Sequence, residues 1–232
     1  MLDYRLKPQD FSTEALCHRI LERNRATIRV QKEHVAVTKL TLIVDATLDL
    51  SNKLGFEGTS LRDLSKAANV SMGSLYSYFD TKETLVAMIL GEVSATVIEV
   101  LSQCPDSIVD DPEAHLKWLI ETHLRLTEAM HKWFVFAFME AKYFPSVARR
   151  LATDSEVATE TLFAEVLNRG KAQGVFQFED ATFSAALIKP LLQDWYVKRS
   201  KYRRRGTALE SYIDNVTHFI LKALAPERQS KR

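Results

Sequence analysis

Two cysteines, seven glycines and six prolines in 232 residues leave little material for a disulfide scaffold, a metal cluster or a turn-rich sheet protein. Cys17 and Cys104 lie far apart and form no Cys-x-x-Cys pair, so buried, inert thiols without structural zinc are expected. The scarcity of glycine and proline, with few alternating β-branched runs, argues for an almost wholly helical chain. No apolar run approaches the ~20 residues needed to cross a bilayer, and the N-terminus lacks the apolar core of a signal peptide. A cytoplasmic protein with no membrane partner is the expectation. The Gly-x-Ser-x-Gly, His-Glu-x-x-His and P-loop patterns are also missing, as is a pair of carboxylates in an acid/base setting. Neither catalysis nor a cofactor is expected. Excess charge is lacking too, since the formal net charge is only +1. The basic residues are instead concentrated locally. Between Arg19 and Lys39, six of them (Arg19, Arg23, Arg25, Arg29, Lys32, Lys39) stand against Glu22 and Glu33, a balance suited to neutralising phosphates.

What the chain does contain is a run of short helix signals between residues 40 and 82. Leu40, Ile43, Val44, Ala46, Thr47, Leu48, Leu50 and Leu54 follow helical spacing, and Gly55 stands where a positive φ ends a helix at low cost. Thr59 or Ser60 caps the next helix, and Asp63, three places after Ser60, completes a capping box. Leu61, Leu64, Ala67 and Ala68 give that helix a buried face, and Asn69 suits a tight turn because it tolerates positive φ. Ser71 caps a further helix in which Leu75 and Phe79 face inward. Ser74, Tyr76, Ser77 and Tyr78 are then left for the outer face. Gly73 is costly inside a helix but allows close approach of a partner. Lys82, in the first turn of the following helix, opposes the helix dipole unless it meets a phosphate. This order of helix, turn and helix is the grammar of a helix-turn-helix reader whose second helix enters the major groove.

The pattern resembles the TetR family of transcriptional regulators over residues ~38 to 90. The family's recognition helix carries a serine or threonine, a glycine, a tyrosine, a histidine-phenylalanine pair and a following lysine. Here these correspond to Ser71, Gly73, Tyr76, Tyr78-Phe79 and Lys82. Tyr78 departs from the usual histidine. Met72 replaces a residue that is often basic or polar, which favours contact with a thymine methyl over a base hydrogen bond. The resemblance implies an all-α fold: an N-terminal three-helix helix-turn-helix domain and a larger C-terminal helical domain for ligand binding and dimerisation. It implies a homodimeric repressor that leaves a palindromic double-stranded operator when a small apolar or amphipathic effector binds. A DNA-binding architectural or protein-regulated factor without a small ligand is the alternative. The expected DNA contacts are Thr59, Ser60, Arg62, Ser71, Met72, Gly73, Ser74, Tyr76, Tyr78 and Lys82.

The chain then reads as a basic extension (1–36), the helix-turn-helix domain (37–84), the ligand and dimer domain (85–225) and a disordered tail (226–232). The extension is either a basic arm on DNA or an amphipathic segment packed on its own domain. Helices are expected over about 82–101, 112–130, 132–143, 145–152, 155–170, 181–198 and 207–224. From the family resemblance, Leu162, Val166, Leu187, Leu191 and Trp195, with Phe183 and Ala186, are candidates for packing seams including the dimer interface. Trp118, His123, Phe134, Phe138, Met139 and Tyr143 are the expected pocket residues, within an aromatic-rich stretch that suits an apolar ligand. His115, His123 and His131 recur every eight residues and drift around a helix, so they form no metal site. Arg203, Arg204 and Arg205 end the basic run 198–205, expected as a loop. They are possible contacts for the phosphates of an acyl-CoA.

Overall fold

The computed structural model describes residues 7–226, and the expected disordered tail falls, from residue 227 onward, outside the described residues. All regular structure among them is helical. After a 3-10 turn at Pro8–Phe11 comes α1 (Thr13–Arg23), capped by the Ser12 side chain, which accepts from the Ala15 amide. Leu16, Cys17, Ile20 and Leu21 of α1 are buried and pack with α2 (Glu33–Leu54). The α1 part of the extension is therefore packed on its own domain. α2 also starts before the expected boundary near residue 37, because Ala36 and Val37 extend its buried stripe one turn ahead of Leu40. Burial pushes the Cys17 thiol up to about 12, which keeps it protonated and unreactive.

Gly55, at φ 75°, ends α2. The short helices α3 (Leu61–Ala67) and α4 (Met72–Leu75) follow, and then α5 (Lys82–Leu101). α5 corrects one expectation from the sequence. It is long and apolar enough to cross a membrane, with a mean hydropathy of 1.8 over its best 18-residue window. Most of that window is buried within the protein, and Glu92, itself buried, sits at its centre between two arginines. Both features describe a core helix.

The remaining helices are α6 (Asp106–Val109), α7 (Pro112–Ala129), α8 (His131–Met139), α9 (Ser146–Ala172), α10 (Ala181–Val197), α11 (Arg199–Arg204) and α12 (Leu209–Leu224), with a 3-10 turn at Ala141–Tyr143 after α8. α9 is continuous where two helices were expected. Asp154 and Ser155 cap nothing, and nearby hydroxyls bond one turn back, Thr153 to the Arg149 carbonyl and Thr159 to that of Ser155. The basic run is likewise a short helix, not a loop, and acids from outside the run pair with part of it. Asp194 takes Lys198 at 2.9 Å and Lys201 at 2.6 Å, and Glu128 takes Arg199.

The chain falls into two compact units. One holds residues up to Thr96 together with Ala129–Asp154; the other holds Val97–Glu128 and the residues from Ser155. Compactness thus groups α8 with the helix-turn-helix, across the boundary at 84/85 drawn from sequence. Two of the three chain crossings, at 96/97 and 154/155, lie inside the continuous helices α5 and α9.

In the second unit Leu116, Leu119, Ile120 and Leu124 of α7 are buried, as are Phe163, Val166 and Leu167 of α9 and Ile188, Leu192 and Trp195 of α10. Trp195 donates its indole N–H to Glu128 at 3.0 Å and packs against Tyr202 and Tyr212. Val166 and Trp195, only 2% and 5% exposed, therefore belong to the unit's own core and leave the set of inter-subunit candidates. Also buried is Lys189, whose Nζ lies 2.9 Å from His123 Nε2. Desolvation brings the lysine down to about 8, and desolvation with the lysine charge holds His123 well below its usual range. Because the folded chain gives up the Lys189 proton before the unfolded chain does, this group adds stability as pH rises from about 8 past 10. A Lys189→Met variant lacks that gain. Its stability relative to the parent, read by urea unfolding, should fall steadily between pH 8 and 10; a constant difference would contradict the assignment.

Candidate nucleic-acid interface

The helix-turn-helix is assembled by local capping. Ser60 Oγ accepts from the Asp63 amide at 3.2 Å while Asp63 accepts from the Ser60 amide at 3.0 Å, so the expected capping box is present. Hydrogen bonds from the Ser60 hydroxyl and amide also hold the Asp63 carboxyl below its ordinary range. Asn69 takes φ 52° in the turn, and Ser71 Oγ accepts from the Ser74 amide at 3.1 Å to start α4. Beneath lie Leu64, Ala68, Leu75, Tyr78 and Phe79, all buried. α4 is only four residues long and continues as a turn through Ser77, so its orientation comes from burial of Leu75 and Phe79 more than from helix propensity.

Outward, Ser60, Arg62, Ser71, Gly73 and Tyr76 are exposed, and Met72 and Ser74 are half-buried. Arg62, Ser65, Lys66, Asn69, Val70, Ser71 and Met72 line a shallow concavity of about 410 Å³. Lys39 of α2 reaches Ser74 Oγ at 3.3 Å and so stands beside α4. Lys39, Lys66 and Asn69 were absent from the contact set expected from sequence. Lys66 follows Arg62 by one helical turn, a spacing legible in the sequence; the approach of Lys39 depends on tertiary packing.

Three expected contacts are turned inward. Tyr78 is fully buried, its hydroxyl directed at the Val35 carbonyl at 3.4 Å, and burial pushes the phenol up to about 12. The tyrosine in place of the family's usual histidine thus serves the core. Thr59, 5% exposed, donates its hydroxyl to the Gly55 carbonyl at 3.0 Å. Lys82 donates to the Phe56 carbonyl and, at 3.3 Å, to that of Glu57, and its ammonium lies 4.0 Å from the Phe56 ring centroid. That answers the dipole problem without a phosphate, because two carbonyls and an aromatic face receive the charge. Phe56 is itself a hub. Its amide donates to Glu140 at 2.7 Å, and its ring meets Phe136 and Phe144 edge-on, which fixes the turn ahead of α3.

The expected pocket residues do not share one compact unit. Trp118 and His123 belong to the second, and His123 is engaged with Lys189. Phe134, Phe138, Met139 and Tyr143 belong to the first. There Phe134 is buried, but Phe138, Met139 and Tyr143 are 42–47% exposed, so these three line no enclosed cavity within their unit. They lie at the end of α8 and in the turn beyond, where few neighbours cover them. On α10 Leu187 is 59% exposed and Phe183, one turn earlier, 64%; Leu162 and Leu191 are half-buried. Arg203, Arg204 and Arg205 are exposed at the end of α11. His115 lies 2.7 Å from Arg169, and desolvation and that cation lower its pKa. Among the described residues no group of three or more His, Cys, Asp or Glu is placed to hold a metal.

An all-helical chain with a capped helix-turn-helix ahead of a separate helical body belongs to the class of helix-turn-helix proteins. Residues 43–89 match the profile of bacterial regulatory proteins of the tetR family, and residues 109–199 that of the tetracyclin repressor-like C-terminal domain. The chain belongs to the TetR family. Over 49% of its length it is 29% identical to the HTH-type transcriptional repressor KstR of Mycolicibacterium smegmatis, and the match spans 63% of that relative's length. A tetR-family regulatory protein from Rhodococcus RHA1 shares the fold with a TM-score of 0.70 at 16% identity, over 81% of this chain and 97% of that one. The fatty acid degradation regulator FadR from Bacillus halodurans does so with a TM-score of 0.62 at 22% identity, over 79% and 94%.

Proposed function

We propose that this chain is a homodimeric, ligand-responsive transcriptional repressor that binds an inverted-repeat operator through α3 and α4. The observation that carries the reading is the outer face of those helices. Arg62, Lys66 and Ser71 line a shallow concavity there, and Gly73 and Tyr76 are exposed on α4 and the turn that follows it. One such face reads only a few base pairs, so two copies on half-sites about one helical turn, ~34 Å, apart supply the specificity. Selection from a pool of random duplexes should enrich an inverted repeat with that spacing. A pool that stays random would count against the reading.

The dimer seam is assigned to α9 and α10, with Leu187 and Phe183 presented and Leu162 and Leu191 at its edge. Two exposed apolar side chains one turn apart suit an isologous contact. Leu187→Asp should shift the protein from dimer to monomer in light scattering, leave its helical content intact, and weaken operator binding at least ~100-fold, since half-site binding then loses its partner. A dimer of unchanged mass would place the seam elsewhere.

The effector is proposed to be apolar or amphipathic, and it acts only through the difference between its affinities for DNA-competent and DNA-released conformations. The continuous helices α5 and α9 carry the chain between the units and are the elements such a ligand would bias. The Bacillus halodurans protein that shares the fold is a fatty acid degradation regulator, which makes an acyl-CoA a reasonable first effector to try. Internal pairing of Lys198, Arg199 and Lys201 leaves only Arg203, Arg204 and Arg205 of the basic run for its phosphates. Unchanged acyl-CoA affinity in the triple alanine variant would remove that role.

A further inference from the structure

The segment between α1 and α2 has a fixed position that the helix-turn-helix reading does not use. It is anchored at both ends. On the α1 side, Glu92 of α5 has no exposed side-chain surface and holds Arg19 Nε at 2.7 Å and Arg23 Nε at 3.0 Å, with Thr96 Oγ1 at 3.0 Å. A buried carboxylate bound by two guanidiniums fixes α1 on α5 in one register, since removing the arginines would leave a buried charge uncompensated. The chain then turns through Asn24–Thr27, and Ile28 is buried. On the other side, the Arg29 amide donates to the Ser77 carbonyl at 2.8 Å, in the turn that ends the recognition helix.

That backbone bond places Arg29 against the last turn of α4, with Lys32 three residues further on as the N-cap of α2. Both side chains are exposed. Arg29 pairs with Asp80 at 3.1 Å, but with 70% and 74% of the two side chains exposed the pair is weakly held. Arg25 lies 3.7 Å from Glu33, which His18 also meets at 3.0 Å. No acid lies within ion-pair distance of Lys32 among the described residues. We propose that residues 25–32 form a second DNA-contacting element, in which Arg29 and Lys32 meet phosphates of the strand flanking the groove that α4 faces. The proposal rests on the reading that α3 and α4 bind duplex DNA. It adds that the N-terminal helix is a bracket that positions these two cations through Glu92.

Phosphate contacts have a signature that bracing alone does not, because each one released lowers the salt slope of binding. Fluorescence anisotropy of the full chain on duplex DNA from its own upstream region, titrated with potassium chloride, reads that slope. The Arg29→Ala/Lys32→Ala variant should have a slope shallower by ~3.6, at ~0.9 per phosphate for two contacts in each of the two subunits, with an unchanged melting temperature. Arg29→Lys/Lys32→Arg should keep the parental slope. Lys117→Ala/Lys222→Ala, which removes the same charge from the other compact unit, should keep it too. A slope within ~0.5 of the parent in the first variant, or an equal change in the control, would overturn the proposal while leaving DNA binding intact. A parent chain with no affinity for duplex DNA would overturn the DNA-binding reading itself.

Discussion

Gly73→Leu should abolish operator binding while leaving the protein as stable as its parent or more so. Nothing in the fold asks for glycine here. Its φ is not positive, it lies within α4, and a Cβ built on it meets no atom within 4 Å. A helical glycine in open space costs the fold about 0.5–1 kcal/mol relative to alanine. The residue that carries this cost sits in the middle of the face proposed to meet the duplex, where any side chain would hold the backbone away from it. Gly73→Ala should therefore raise the melting temperature slightly and weaken binding moderately. Gly73→Leu should weaken it by at least ~100-fold, or about 2.7 kcal/mol. Parental affinity in the leucine variant would mean that α4 does not face DNA.

Gly170→Ala is expected to have the opposite profile, a large loss of stability with no direct bearing on the DNA face. The new Cβ would lie 2.1 and 2.5 Å from Cδ2 and Cε2 of Phe176, which is 4% exposed. The ring has little room to retreat. The amides of Val175 and Phe176 both bond the Gly170 carbonyl, at 2.8 and 3.2 Å, so the turn leaving α9 folds the phenylalanine over the glycine. Overpacking at such a site should destabilise by about 1–3 kcal/mol, read as a shift of the urea midpoint. Adding Phe176→Leu should recover part of that loss. A midpoint that does not move would show that the ring can swing aside.

These two glycines mark how far the sequence could be read. Features set by neighbours a few residues apart were legible. The Ser60–Asp63 capping box, the positive φ of Asn69 and Gly55, and the inward Leu75 and Phe79 follow from chemistry within a single turn. Features set by distant partners were not. Tyr78 and Lys82 looked like DNA contacts until Val35 and Phe56 were brought beside them. The acids neutralising the basic run are Asp194 and Glu128, the second of them more than sixty residues away in sequence. The continuity of α9 through Asp154-Ser155 was hidden for a related reason, since a capping residue is silent when the helix on either side is held by packing.

Anisotropy of the parent chain on duplex DNA from its own upstream region, competed with unrelated duplex and repeated with Gly73→Leu, tests the central claim most directly. The account predicts tight binding that unrelated DNA displaces only at large excess and that the leucine variant loses while keeping its fold. Equal affinity for both duplexes, unaffected by leucine at position 73, would contradict it.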